Sequence, residues 1–524
     1  MSDNNTSNKT IAKNTLFLSI RMVVVLVINL FTTRIVLQAL GVIDYGVYNV
    51  VCGFVAMFAF LNTSMSNGIQ RFFNYEYGKN GEQGANKVYC TSLYIQAFLA
   101  LIVIIIVEAF GLWYLHNKMV IPADRMVAAE WIFQFSILSF LMGIMQAPYA
   151  AAVTAHQRFD FYAIISVLDA VLKLIIAYAV LIVISDKLII YGVLSAIISI
   201  IDILIYIAYC KRHFQEIRFK PGLNMDFFKK MIGFSGWNLF GSFAGIAKDQ
   251  GINLVLNFFF GPVVNAARGV AMQVKGGVYS FVSNINIPIR PQVTQSYAKG
   301  DIDRTMNLTY SVSKLSSFIL LIISIPIAFE IDFLLRIWLG SEVPAHSGSF
   351  TILILCTALI STLNWATSGI VHATGIMKEY QIWGAIPKIC SVPIAYFLLL
   401  AYKIPELAFI AVLICDVISH TLGLFVVRKL VKMSLWSYMK KVILPITIVF
   451  VIILASTSSV HNLIENDILR LITVCLISTI SGIVSSYFIA FDEREKKMSL
   501  QLFSSVLKRI GLEQLALRIV NKKE

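Results

Sequence analysis

The chain has 524 residues, 58% of them hydrophobic and only 14% charged, with a mean hydropathy of +0.78 and a formal net charge of +14. A soluble protein is roughly a quarter charged and under half apolar, so a soluble globule is excluded, and so are disordered, fibrous and disulfide-rich secreted chains. What remains is an all-α polytopic membrane protein, in which each spanning helix takes about 20 apolar residues.

Residues 1–14 are polar, and the apolar run that follows is too long for a signal-peptide core and lacks a small-residue cleavage site, which predicts a retained first span. Apolar runs then fall at 15–40, 46–68, 88–115, 127–152, 161–184, 188–210, 231–259, 266–289, 307–329, 347–373, 381–401, 406–427, 441–457 and 467–490, about fourteen transmembrane helices. The seventh and eighth are the most polar, carrying Lys248, Asp249, Gln250, Asn253, Arg268, Gln273 and Lys275. Such segments either do not span or line a wet interior, and their length favours the interior. Pro288-Ile289-Arg290-Pro291 is expected to be a stiff exit from the eighth run. After Phe491 the tail is charged and then amphipathic. Phe503, Leu507, Ile510 and Leu517 recur at helical spacing beside Lys508, Arg509 and Arg518, as in a helix lying on a membrane surface.

With the N-terminus placed in the cytoplasm, the inner loops and tail hold 29 Lys and Arg and the outer loops 6, so both termini are expected inside. A shift of about 220 residues brings Gly41 onto Gly261, Arg71 near Arg290, and Gly78-Lys79-Asn80 near Lys299-Gly300-Asp301. This repeat predicts two six-helix lobes, residues 1–210 and 211–427, with two appended helices over 428–490 and a cytoplasmic tail over 491–524. Parallel repeats of this kind are a transporter architecture with the substrate between the halves.

Signs of catalysis are missing. The seven histidines have no metal spacing, the seven cysteines have no CxxC spacing, and no Walker A sequence occurs. Neither an enzyme, a metal, a cofactor nor a nucleic-acid partner is expected. The informative residues are eight basic side chains inside apolar runs: Arg21, Arg34, Lys173, Lys248, Arg268, Lys275, Lys314 and Lys388. A charge at the bilayer centre costs roughly 2.5–3.5 kcal/mol on insertion scales, so such residues face a bundle interior or watery cavity. Arg268 and Lys275 are seven apart on one helical face, among Gly269, Ala271, Gly276 and Gly277, where a ligand or another backbone can approach closely. With Lys248 and Arg34 they form a candidate cationic cavity for an anion such as a phosphate group. The ordinary alternatives stand beside this. Arg21 can snorkel, Lys173 can pair with Asp169 four residues earlier, Lys248 can pair with a carboxylate on another helix, and Lys314 and Lys388 can anchor span ends. Among the embedded acids, Asp249 is the candidate for coupling to an ion.

Short stretches carry a family resemblance. T-T-R-I-V-L-Q-A-L-G-V-I-D-Y-G-V-Y-N-V-V (32–51), S-N-G-I-Q-R-F-F (66–73) and N-W-A-T-S-G-I-V-H-A-T-G (364–375) resemble parts of the O-antigen and capsule repeat-unit translocases (Wzx-like), the polysaccharide-lipid flippases of the MOP superfamily. That superfamily also contains the MATE drug exporters and lipid II flippases. The resemblance implies a MATE-like fold and translocation of an undecaprenyl-pyrophosphate-linked oligosaccharide across the bacterial inner membrane, in lipopolysaccharide or capsule biosynthesis. Arg34 and Arg268 match its basic positions, with Arg21, Lys248 and Lys275 as further substrate-binding candidates. Its implied partners are the lipid-linked oligosaccharide, membrane lipids, a proton or sodium counter-ion and other polysaccharide-assembly proteins. The alternatives are a MATE-type multidrug or ion antiporter, which would favour acidic groups in its cavity, and a membrane-embedded polysaccharide polymerase, which the short outer loops disfavour.

Overall fold

The computed structural model describes residues 2–156, 158–222, 225–374, 376–493 and 495–496. The amphipathic tail motif from Phe503 to Arg518 lies outside the described residues. Helix follows helix in chain order: α1 (Ser2–Ala56), α2 (Ala59–Ile106), α3 (Leu112–Asn117), α4 (Met126–Ala155), α5 (Phe159–Ile182), α6 (Lys187–His213), α7 (Met225–Phe260) and α8 (Pro262–Ala298). Then come α9 (Ile302–Phe329), α10 (Ile331–Leu339), α11 (Ser347–Thr374), α12 (Lys378–Tyr402), α13 (Glu406–Val431), α14 (Leu435–Tyr438), α15 (Leu444–His461) and α16 (Asp467–Ser485). The fold is all-α and polytopic.

Two of these helices are continuous only in name. The backbone turns left-handed at Gly41 within α1 (φ 76°) and at Gly81 within α2 (φ 58°). The same turn recurs at Gly261 between α7 and α8 (φ 73°) and at Gly300 between α8 and α9 (φ 76°). Positive φ is costly for any residue with a Cβ, which is why glycine stands at these junctions. Gly41 and Gly261 are 220 residues apart, the spacing of the sequence repeat. The prolines inside α4 (Pro148), α9 (Pro326) and α12 (Pro387, Pro393) are accommodated without ending the helix. Pro288 and Pro291 do not end α8 either. The helix continues to Ala298, so the expected stiff exit is corrected to a longer helix.

Among the described residues, eleven helical segments are long and apolar enough to cross a membrane. The difference from fourteen has a plain origin. The first two runs merge into Arg21–Ala56, and α7 and α8, 36 and 37 residues long, are too polar to count. Burial is inverted relative to a soluble protein. Ile182, Phe397, Trp436, Leu463 and Phe488 are largely exposed, while Asn253, Asn257, Asn265, Thr309, Ser313 and Ser317 are buried. An apolar exterior of this extent suits lipid.

The chain packs as two compact units. One comprises Met1–Gly277, Leu334–Thr357 and Met377–Leu422; the other comprises Val278–Phe333, Ala358–Ile376 and Gly423–Glu524. The second is held by small-residue packing and buried charge. Gly482 of α16 sits against the Ile322 side chain, and the Ser478 hydroxyl donates to the Ile322 carbonyl at 3.1 Å. The fully buried Glu330 carboxylate accepts from Arg470 at 2.8 Å and lies 2.8 Å from His461. Lys314, read from sequence as a span-end anchor, is buried and donates to the Ala490 carbonyl at 3.0 Å and to the Glu495 carboxylate at 2.5 Å.

In the first unit, Arg125 joins two loops to the start of the second limb of α1. Its guanidinium donates to Asp44 at 2.6 and 2.7 Å and to Asp186 at 2.7 and 3.1 Å. Burial alone raises the Asp186 carboxyl, but Arg125 and the Leu188 and Ile189 N–H groups outweigh it and hold it below the ordinary carboxylate value. The contribution of Asp186 to stability is therefore complete above about pH 4 and is lost as pH falls from there through its lower folded-state value. Arg125→Ala leaves two carboxylates facing each other and is expected to lower stability by about 2 kcal/mol, discounted for partial exposure. Thermal unfolding in detergent at pH 7 measures this.

Candidate functional site: a buried cation cluster

Helices α1, α7 and α8 come together through glycine. A Cβ at Gly46 would collide with the Pro262 backbone, one at Gly53 with Asn253, and one at Gly269 would lie 2.8 Å from the Asn49 amide. Of the two readings of the small residues around Arg268, Gly269 thus serves approach of another helix. The contact is sealed by amides. Asn253 donates to the Asn49 carbonyl at 3.1 Å, and Asn265 donates to the Asn253 carbonyl and side-chain oxygen, both at 2.8 Å. Asn257 donates to Asn265 at 3.1 Å and to the Val120 carbonyl at 3.2 Å, and accepts from Val120 N–H at 2.8 Å. Each buried polar group in this chain of amides finds a partner, which fixes α7 against α8.

One pocket below this seal is lined by Lys248, Asp249, Arg268 and Lys275, with Ile354, Thr357, Phe409 and Val412 as its apolar wall. Its free volume is about 20 Å³. That admits a single water. Arg268 is buried and donates to the Asp249 carbonyl at 2.6 Å. Lys248 donates to both oxygens of Asp416 on α13, at 3.0 and 2.9 Å, with both side chains buried. Of the two readings of Lys248, the interhelical ion pair is therefore realised, and at the pocket wall.

Lys275 has neither a hydrogen bond nor an ion pair among the described residues. The Asp249 carboxylate likewise has no ion pair within 4.0 Å, yet it lies in the field of Lys248, Lys275, Arg268 and Lys388. Lys388, read from sequence as a span-end anchor, belongs electrostatically to this cluster. Four cations thus stand against two carboxylates; Lys248, Arg268 and Asp416 are buried, while Lys275, Lys388 and Asp249 are half-buried. An excess of positive charge there is costly unless an anion or water shares it.

The remaining candidates lie elsewhere. Arg34 does not line this pocket; it donates to the Ile337 carbonyl at 3.2 Å, while Trp338 donates to the Leu30 carbonyl at 2.7 Å. Arg21 is held by α5, with its guanidinium 4.8 Å from the Tyr162 ring centre and donating to Ser166 at 3.3 Å. Neither Arg34 nor Arg21 lines the pocket that holds Lys248, Arg268 and Lys275. Lys173 pairs with Asp169 at 2.9 Å, as the spacing suggested.

No protein-family model matches the sequence, and no curated protein matches it. Solved structures do. The lipid II flippase MurJ in an inward closed conformation superposes with a TM-score of 0.65 at 13% identity, over 90% of this chain and 98% of that one. An inward-facing multidrug resistance MATE family transporter of the MOP superfamily gives 0.64 at 12% identity, over 77% and 94%. A MOP superfamily transporter from Pyrococcus furiosus, described as having a binding pocket of reverse polarity, gives 0.61 at 12%, over 80% and 96%. At these identities the similarity establishes a shared fold, that of MATE and MurJ.

Proposed function

We propose that the chain is a flippase that carries an undecaprenyl-pyrophosphate-linked oligosaccharide across the bacterial cytoplasmic membrane by alternating access. The observation that carries this reading is the excess of cations at Lys248, Arg268, Lys275 and Lys388 over Asp249 and Asp416. A diphosphate is the ligand whose charge complements that excess. Arg268 would offer paired N–H donors and Lys275 a point charge. Arg34 and Arg21, already engaged elsewhere, are not needed for it.

Opening the cluster to either side requires motion, since only about 20 Å³ is free. Rocking of two six-helix halves, residues 1–210 and 211–427, would supply it. Phosphate binding must then be moderate, because a ligand held equally tightly in both states shifts nothing. Asp249, a carboxylate without an ion pair, is the group that a proton or sodium ion would address. The basic bias of 29 to 6 supports cytoplasmic termini. The local resemblance to O-antigen and capsule translocases supports the lipid-linked glycan over a cationic drug, and the fold, common to MurJ and MATE, is compatible with either. A strain lacking the gene should lose surface polysaccharide and accumulate lipid-linked repeat units inside. Unchanged polysaccharide with increased sensitivity to cationic drugs would favour the antiporter instead.

A further inference from the structure

A second cavity, of about 480 Å³, lies in the first unit where α2, α4 and α6 meet the linker that leaves α6. Its size falls within the roughly 300–1,000 Å³ of small-molecule pockets. The linker is fastened there by the sequence of residues 214–222. Asn86 donates to the carbonyls of Glu216 and Arg218 at 2.6 and 2.7 Å, and Gly222 N–H donates to the Tyr94 hydroxyl at 3.4 Å. Glu216 turns inward to His156, Ile217 is buried, and Arg218 and Phe219 face out. The Glu216 carboxylate is thus engaged away from the cavity, and no Asp or Glu is among the described residues that line it. Arg218 and Lys211, which both line it, have no carboxylate partner among the described residues.

The cavity floor adds a neutral donor. Tyr89 donates its hydroxyl to Tyr149 at 3.1 Å, and no described residue takes the hydroxyl hydrogen of Tyr149. Both rings line the cavity, together with Leu93 and Ile217. Phe219 leans on Tyr94, with ring centres 5.8 Å apart, at the rim. Two cations without a carboxylate partner among the described residues and a phenol donor above apolar walls, with the exposed Phe219 ring at the edge, match a phosphate headgroup whose chains continue into hydrocarbon. The face is also the one that carries the basic excess, with Lys211, Arg212, Arg218 and Lys220 in ten residues.

We propose that this cavity binds the headgroup of an anionic phospholipid, with Arg218, Lys211 and Tyr149 on the phosphodiester. The inference is independent of what the buried cation cluster carries. Purified full-length protein in a neutral detergent should be titrated with phosphatidylglycerol, phosphatidylcholine or inorganic phosphate, with thermal unfolding as the readout. Phosphatidylglycerol should raise the unfolding temperature saturably. Lys211→Gln combined with Arg218→Gln should raise its half-saturating concentration at least about tenfold, and Tyr149→Phe should raise it several-fold. Exposed and free of carboxylates, the two basic positions should tolerate exchange, and Lys211→Arg with Arg218→Lys should retain the effect. Equal stabilisation by phosphatidylcholine, full reproduction by inorganic phosphate, a double variant that titrates like wild type, or loss of the effect in the charge-conserving pair would each overturn the proposal.

Discussion

Lys275→Ala should abolish export of the lipid-linked oligosaccharide while leaving stability unchanged or improved. Lys275 lines the cation pocket with neither a hydrogen bond nor an ion pair among the described residues. Lys275 is half-buried, so truncating it removes a charge that has no partner among the described residues at little cost to the fold. A merely structural lysine would show the opposite pattern, lower stability with transport retained. Arg268→Ala should lose export to the same degree, by at least about a hundredfold if two charge-assisted hydrogen bonds to a diphosphate are lost. It should also soften the fold, since Arg268 donates to the Asp249 carbonyl. Arg268→Lys should recover part of the transport, because lysine keeps the charge and loses the paired donors. Complementation of a deletion strain, with membrane content of each variant checked, reads both effects. Wild-type export by Lys275→Ala and Arg268→Ala would leave the cluster without a substrate role.

The largest effect on stability is expected at Asp416. Lys248 and Asp416 are both buried and joined through two contacts near 3 Å. Asp416→Ala strands the ammonium, a change that costs about 3–5 kcal/mol when one partner of a buried pair is lost. The double replacement Lys248→Met with Asp416→Leu removes both charges and fills the volume, so it should return to near wild-type stability. Thermal unfolding of Lys248→Met, Asp416→Leu and the double gives the coupling directly. Additive losses, with the double less stable than either single, would contradict the pairing. Transport by the double variant then separates roles. If it is normal, the pair is scaffold; if it is lost with the fold intact, Lys248 also serves the substrate.

Much of the fold was legible because lipid imposes one demand on every spanning segment, and the runs answer it. The junctions at Gly41 and Gly261 were legible for a similar reason, since a left-handed turn between helices favours glycine. Pro288 and Pro291 misled, because proline marks a helix end in water more reliably than in a bundle that supplies other partners. At the site, Lys248, Asp249, Arg268 and Lys275 were legible from the cost of charge in hydrocarbon, and they do share one pocket. Arg34 and Arg21 raise the same question from sequence but make other contacts, with the Ile337 carbonyl and with Tyr162 and Ser166. Charge alone does not distinguish these outcomes. Asp416 is 168 residues from Lys248, so its pairing depends on tertiary contact. Asn253, one of the polar residues of the seventh run, proves to belong with Asn257 and Asn265 to a closed network of amides. The four-residue step from Asn253 to Asn257, which puts both on one helical face, was the available signal.

The measurement that bears most directly on the central claim is leaflet accessibility of the substrate. Proteoliposomes containing the purified chain should be prepared with a polyprenyl-pyrophosphate oligosaccharide labelled on its sugar, and an impermeant quencher added outside. With wild-type protein the protected inner-leaflet fraction should become accessible over time, and with Lys275→Ala or Arg268→Ala it should remain protected. Equal rates in wild-type and empty vesicles, together with uptake of a cationic dye by wild-type vesicles under a proton or sodium gradient, would contradict the flippase account.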